Sequence, residues 1–152
     1  MGTKYRPNVA GILRNSKGKV LVCERLGKDG AWQFPQGGVD DGETALEALY
    51  RELEEEIGVT RELYTVVEQR GGYRYKFADG RLKFGTYGGQ EQTYFLCDYH
   101  GKKSQISIET DHPEFQSVDW IRPHRFDLNA VPQFKRAVYE RVFKDFFGAF
   151  PE

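Results

Sequence analysis

Residues 37–59 read GGVDDGETALEALYRELEEEIGV, and this stretch contains the clearest helix signal in the chain. Thr44 and Glu47 match the S/T-x-x-E pattern of a helix N-terminus, in which each side chain accepts from the other residue's backbone N–H. Gly58 stands where a left-handed residue commonly ends a helix, a conformation that costs glycine little. The pattern therefore predicts a helix over 44–57.

The predicted helix has one apolar face and one acidic face. At about 100° per residue its large apolar side chains share one arc and are expected to face the core: Leu46, Leu49, Tyr50, Leu53 and Ile57. Glu52, Glu55 and Glu56 share a second arc, beside the small residues Ala45 and Ala48. Three carboxylates therefore point the same way from the end of one helix, with room beside them.

Acidic residues are concentrated in one part of a chain that is close to neutral. The 152 residues carry a net charge of −1, whereas residues 40–62 alone carry −7 and the remainder +6. Glutamates at a helix C-terminus oppose the helix dipole and repel one another at i+3 and i+4. A hard divalent cation would offset that cost, and a solvated acidic face is the alternative. The neutral total argues against holding nucleic acid by bulk cationic attraction.

Other features exclude broad classes of protein. No apolar run approaches the ~20 residues that a membrane span needs, and the N-terminus lacks the apolar stretch of a signal peptide. Cys23 and Cys97 are flanked by apolar residues, which indicates buried thiols in a reducing compartment. We therefore expect one domain over 1–152, located in the cytoplasm, without a membrane or DNA partner and monomeric.

Short apolar runs surround the helix and predict strands over 9–13, 20–23, 32–34, 64–67, 92–99 and 115–121. Residues 35–38 are expected to form a loop, and a second helix is expected from Val131 to Phe147, with Pro132 in its first turn and Gly148 as its stop. Strands interrupted by two helices predict an α/β or α+β layered domain.

The 37–59 stretch resembles the Nudix box, G-x5-E-x7-R-E-U-x-E-E-x-G-U with U apolar. Every fixed position is filled, by Gly37, Glu43, Arg51, Glu52, Leu53, Glu55, Glu56, Gly58 and Val59. Flanking segments resemble one subgroup of that family, the bacterial RNA pyrophosphohydrolases and related dinucleoside polyphosphate hydrolases: 5–9, 32–38, 73–76, 89–92, 113–115 and 134–136.

The resemblance implies a Nudix fold, in which a mixed β-sheet lies between helices as an α/β/α sandwich. It implies several Mg²⁺ ions, replaceable by Mn²⁺, held by Glu52, Glu55, Glu56, Glu114 and a carbonyl of the Gly37-Gly38 loop. Glu43 and Arg51 are then structural, with Arg51 pinning the box by an ion pair. Its spacing also allows Arg51 to pair with Glu47 or Glu55.

The implied reaction is hydrolysis of a phosphoanhydride, with Glu52, Glu55 and Glu56 as the catalytic carboxylates. Glu56 is the first choice for the general base, followed by Glu52 and Glu114. The resemblance also indicates substrate-binding residues that would hold phosphates or stack on bases: Arg6, Arg25, Tyr75, Lys76, Gln92, Phe134 and Lys135.

Three functions stay open at this point. The first is an RNA 5′-pyrophosphohydrolase, with a role in RNA decay, and the second is a dinucleoside polyphosphate hydrolase acting on substrates such as diadenosine tetraphosphate. The third is a silent nucleotide-binding Nudix domain, which is expected to lack box glutamates, whereas none is missing here.

Overall fold

The computed structural model describes residues 2–148, which contain seven strands and two α-helices. In chain order they are β1 (Tyr5–Arg14), β2 (Val20–Arg25), β3 (Trp32–Gln33), β4 (Gln36–Gly38), α1 (Ala45–Ile57), β5 (Tyr64–Lys76), β6 (Gly89–Tyr99), β7 (Phe115–Ile121) and α2 (Gln133–Phe147). No helix in this range is long and apolar enough to cross a membrane.

All seven strands join one mixed sheet, in the order β3-β2-β1-β6-β5, with β4 paired to β1 and β7 to β2. The central pair is parallel, with Tyr5 opposite Gly89 at one end and Arg14 opposite Asp98 at the other. The other pairs are antiparallel. Because β1 and β6 begin at the same edge, residues far apart in sequence meet there.

Two hydrophobic cores lie on opposite faces of this sheet, because alternate side chains of a strand point to opposite sides. Ala10 and Ile12 of β1 pack with the α2 residues Val138, Tyr139, Val142 and Phe143. Val9 and Leu13 pack with the α1 residues Ala48, Leu49, Leu53 and Ile57. Each large side chain buried in this way contributes about 1.5–3 kcal/mol. The predicted α/β/α sandwich is confirmed.

The acidic helix begins and ends as predicted. Thr44 is its N-cap in a complete capping box with Glu47, and Gly58 ends it with a φ of 67°. The predicted core position of Leu46 is wrong, because that side chain is 38% exposed. The buried face is rotated toward Ala48, whose small side chain allows close packing on the sheet. The same rotation turns Glu52 inward.

Other boundaries differ from the prediction for identifiable reasons. β5 continues to Lys76, past register shifts around the Gly71-Gly72 pair that hide the strand pattern in sequence. Residues 36–38, expected as loop, pair with β1 as β4. Pro132 is the N-cap of α2 rather than its first helical residue, and Gly148 ends that helix as expected.

Both cysteines are buried and free, as predicted. Burial raises the pKa of the Cys97 thiol to about 12 and raises the pKa of the Cys23 thiol further. Both therefore stay protonated, as inert thiols of the core.

Candidate active site

A cleft of about 870 Å³ opens at the sheet edge where β1 and β6 begin and β5 ends. The second half of α1 forms one wall through Glu52 and Glu56. The remaining walls come from β4, the loop after β2, the β5–β6 loop, and the segments that precede β7 and α2. Distant parts of the sequence therefore converge on the acidic helix.

The three box glutamates come together on α1 as the helical spacing predicts. Glu52, Glu55 and Glu56 each offer an oxygen, and these oxygens lie within 4.8 Å of one another. Glu52 is buried, Glu56 is half-buried and Glu55 is exposed. The Glu52 carboxyl fills the space beside Gly37, where an added Cβ would overlap it. A side chain at position 37 would therefore displace the Glu52 carboxyl from this place.

Arg51 holds the acidic helix to the preceding loop. Its Nε and Nη2 donate to the two oxygens of Glu43, each at 2.8 Å, and Nη2 also donates to the carbonyl of Gly38 at 2.8 Å. Its Nη1 donates to Glu52 at 2.7 Å and to Glu55 at 3.4 Å. The guanidinium therefore ties helix, loop and buried carboxylate into one unit, since its planar fork suits bidentate pairing.

The alternative pairing of Arg51 with Glu47 is wrong. The Glu47 carboxylate accepts from the backbone N–H of Thr44 at 3.0 Å and so completes the capping box. The ion pair with Glu43 holds the pKa of that carboxyl at about 2, mainly through the hydrogen bonds from Arg51.

Glu56 has the most perturbed carboxyl of the cluster. Burial, followed by repulsion from Glu114, Glu52 and Glu55, raises its pKa to about 7. Its Oε2 atom is buried and has no hydrogen-bond partner within residues 2–148. Burial also raises the pKa of Glu52, against the opposing effect of Arg51. An orphaned carboxylate oxygen among other carboxylates is the donor set that a hard divalent cation takes.

Glu114, predicted as a further metal ligand, lies on the same cleft although it comes from the segment before β7. Its backbone carbonyl accepts from the Leu26 N–H at 2.9 Å, which ties that segment to the loop after β2. Gly37 also lines the cleft. The structure thus brings the predicted metal-ligand residues Gly37, Glu52, Glu56 and Glu114 onto one cleft, and Glu55 joins them through the glutamate cluster.

Cations also line the cleft. The predicted residues Arg6, Arg25 and Lys135 are among them, together with Lys28, Arg81 and Lys83, which sequence reasoning missed. Burial, followed by repulsion from Arg25, Lys83 and Lys28, lowers the pKa of Lys135 to about 8. Burial and Arg6 likewise lower the pKa of Lys83. The missed cations lie outside the segments that resemble the family, so only their charge could have indicated them.

Two predicted substrate contacts are corrected by the structure. Lys76 follows Tyr75 on β5, so its side chain points to the other face and lines a separate, smaller pocket with Thr3 and Lys4. Gln92 is 1% exposed, and its Nε2 donates to Asn8 and Gln36 at 2.9 and 2.6 Å. Gln92 therefore holds the lining residues Asn8 and Gln36 in position and does not line the cleft itself.

The two predicted stacking residues both line the cleft but differ in exposure. Tyr75 is 5% exposed, because its ring packs against Phe77 and Phe134 with centroids 6.1 and 5.7 Å away. Its hydroxyl accepts from Gln90 at 2.5 Å. The prediction that Tyr75 stacks on a base is therefore corrected to a supporting contact, whereas half-buried Phe134 keeps a face on the cleft.

Known proteins of similar sequence and fold show which family this chain resembles. Residues 4–142 match the NUDIX domain. A protein named RNA pyrophosphohydrolase from Novosphingobium aromaticivorans is 43% identical over 152 residues, which cover 95% of this chain and 94% of that protein. One of the same name from Rhodospirillum rubrum is 40% identical over 97% and 90% of the two chains. The structure of C. elegans Ap4A hydrolase shares the fold alone, with a TM-score of 0.63 at 18% identity over 94% and 98% of the two chains.

Proposed function

Because the chain belongs to the NUDIX domain family and is a hydrolase of pyrophosphate bonds, we propose that it removes pyrophosphate from the 5′-triphosphorylated end of RNA. The observation that carries the proposal is one cleft lined by both carboxylates and cations. A triphosphate chain needs both, because cations hold its oxygens and carboxylates hold the metal. The relatives named RNA pyrophosphohydrolase support the RNA end as the substrate.

Nudix hydrolases generally use divalent metals, and we propose Mg²⁺, with Mn²⁺ as a substitute and several ions in the site. The residues that would hold them are Glu52, Glu55, Glu56, Glu114 and the carbonyl of Gly37. The unpaired oxygen of Glu56 supports this set. Bound Mg²⁺ supplies charge neutralisation on phosphate oxygens and makes water a stronger nucleophile at neutral pH.

The protein groups then act on water and phosphate. Glu56 takes a proton from the attacking water, a role supported by its position on the cleft and by its Oε2 atom, which is buried and unpaired among the described residues. Glu52 and Glu114 are the next candidates for this base. The water oxygen bonds to phosphorus, the phosphoanhydride P–O bond breaks, and pyrophosphate leaves. Arg6 and Lys135 hold the phosphates during the reaction, a role supported by their position in the lining of the cleft.

A dinucleoside polyphosphate hydrolase is the second candidate. The cleft volume of about 870 Å³ lies within the range of small-molecule sites, so a dinucleotide such as diadenosine tetraphosphate also fits. The same metals and cations would serve that substrate, because the reacting group is again a phosphoanhydride. The silent-domain alternative is not proposed, since the carboxylate cluster is intact.

The test is a side-by-side measurement of kcat/KM on triphosphorylated RNA and diadenosine tetraphosphate with Mg²⁺. We expect RNA to be preferred by more than ~10²-fold, equal to ~2.7 kcal/mol of differential transition-state binding. A preference of that size for the dinucleotide would transfer the proposal to the second candidate. Activity on neither substrate would refute both.

We further propose that residues 1–152 act as one monomeric domain in the cytoplasm. The NUDIX match over 4–142 supports one domain, and two free buried cysteines are typical of a reducing compartment. Size-exclusion chromatography with light scattering tests the monomer, because a dimer would double the mass of 17.6 kDa.

A further inference from the structure

Phe84, in the loop between β5 and β6, is the most exposed large apolar side chain of residues 2–148, at 71%. Leu82 in the same loop is 56% exposed. The backbone of Phe84 has a φ of 55°, a left-handed conformation that is strained for a residue with a Cβ. Exposure and strain in one aromatic residue indicate that the loop holds this ring out for contact with something else.

The ring stands at the cleft, next to the cations. Phe84 and Leu82 both line the cleft, and the Cζ of Arg6 lies 5.0 Å from the Phe84 ring centroid. The Nζ of Lys83 lies 5.8 Å from it. The Arg6 guanidinium in turn fills the space beside Gly38, where an added Cβ would overlap it. One guanidinium therefore separates the Phe84 ring from the loop that contacts the buried carboxylate.

The other aromatic residues of the cleft have less free surface. Tyr75 and Phe115 are each 5% exposed, and Phe77 and Phe134 are half-buried. The Tyr75 ring is covered by the rings of Phe77 and Phe134. Among the aromatic residues that line the cleft, Phe84 therefore offers the largest open ring surface to a ligand.

We propose that Phe84 is a base-binding residue, on which a nucleobase near the 5′ end of the substrate stacks while Arg6 and Lys83 hold its phosphates. This rests on the proposed function, because it assumes a nucleotide substrate. Arg6 can do both tasks at once, since a guanidinium stacks through its face and donates hydrogen bonds through its edge. Every base has a π-face, so such a platform tolerates any sequence.

The test compares two triphosphorylated RNAs of the same length, one normal and one with abasic riboses at its first two positions. Dissociation constants are measured by fluorescence anisotropy with Mg²⁺ in a Glu56→Gln background, so that the RNA is not consumed. We expect Phe84→Ala to weaken binding of the normal RNA about tenfold, which converts to about 1.4 kcal/mol. Binding of the abasic RNA should change less than twofold.

Two further variants sharpen the result. Phe84→Trp should bind the normal RNA within twofold of the unsubstituted ring, because it keeps an aromatic face. Val67→Ala is the matched control, since Val67 is an exposed apolar residue of β5 that does not line the cleft, and it should change neither dissociation constant.

Equal weakening for both RNAs, or no weakening for either, would overturn the base-binding role. Turnover of the normal RNA by the unmodified chain is recorded separately. If that turnover is absent, the proposed function fails, and the anisotropy ratio still decides the role of Phe84.

Discussion

The cleft carries two groups of opposite charge that are built differently: the acidic wall, formed by the glutamates of α1, and the basic wall, formed by the lining cations. Glu52 and Glu56 project from one helix, whose start is fixed by a capping box and whose contact with the loop is fixed by Arg51. The cations come one or two at a time from strand ends and loops, such as Arg6 from β1 and Lys83 from the β5–β6 loop. The acidic wall comes from one helix, whereas the basic wall is assembled from segments that are distant in sequence.

Each wall is electrostatically unfavourable by itself. Burial and neighbouring carboxylates raise the pKa of Glu56, while burial and neighbouring cations lower the pKa of Lys135. Bound cations would relieve the first and a bound polyanion the second. A bound metal and a bound phosphate chain would therefore complement the site together, and substitutions in each wall separate their contributions.

The largest effect is expected at the acidic wall. Glu56→Gln should lower kcat at least ~10²-fold, because an amide cannot accept the proton of the attacking water. Glu54→Gln is the matched control, since Glu54 is an exposed residue of the same helix outside the glutamate cluster, and it should stay within twofold. Steady-state kinetics on triphosphorylated RNA measure both. A loss below tenfold in Glu56→Gln would assign the base to Glu52 or Glu114.

The attachment of the acidic wall to the preceding loop is tested at Arg51. Arg51→Lys should lower the free energy of unfolding by about 2 kcal/mol, because an ammonium cannot replace the bidentate pair with Glu43 and the bond to Gly38. Urea denaturation measures the change. Arg70→Lys is the control, since its exposed pair with Glu68 contributes little, and it should change stability by less than ~0.5 kcal/mol. Similar losses in both variants would contradict this role of Arg51.

The basic wall should act on substrate binding. Arg6→Ala should raise KM for triphosphorylated RNA about tenfold and change kcat little, because a charge-assisted phosphate contact present before and during reaction is lost. Arg14→Ala is the control on the same strand, since Arg14 pairs with Asp98 away from the cleft. An unchanged KM for Arg6→Ala would remove Arg6 from the phosphate site.

The smallest effect concerns the pH dependence of stability without metal. The pKa of Glu56 in the fold, about 7, lies above the ordinary 4.5, so ionising this carboxyl destabilises the fold. The penalty is absent below pH 4.5 and complete above pH 7. In EDTA, Glu56→Gln should therefore raise Tm at pH 8 and leave it nearly unchanged at pH 4. An equal rise at both pH values would show an effect unrelated to charge.

The acidic wall could be predicted from sequence because its parts are contiguous. Glu52, Glu55 and Glu56 follow from helical spacing alone, and the family resemblance added Glu114 and Gly37. Even there, the direction of the buried face was missed at Leu46, because packing of Ala48 on the sheet decides the rotation of the helix.

The basic wall could be predicted only in part, because it depends on long-range packing. Lys83 reaches the cleft through a loop that no local pattern places there. Strand alternation turns the Lys76 side chain away from the cleft. Hydrogen bonds to Asn8 and Gln36 enclose Gln92. Similarity of these segments to the family therefore did not predict which of their side chains face the cleft. The polarity of a strand residue's environment is set by its partners across the sheet.

Isothermal titration of Mg²⁺ into the unmodified chain, Glu52→Gln and Glu54→Gln at pH 8 tests whether the acidic wall is a cation site. Saturable binding is expected for the unmodified chain and for Glu54→Gln, with at least about tenfold weaker binding for Glu52→Gln. Identical titrations in all three proteins, or no binding in any, would contradict the metal-holding role of the wall.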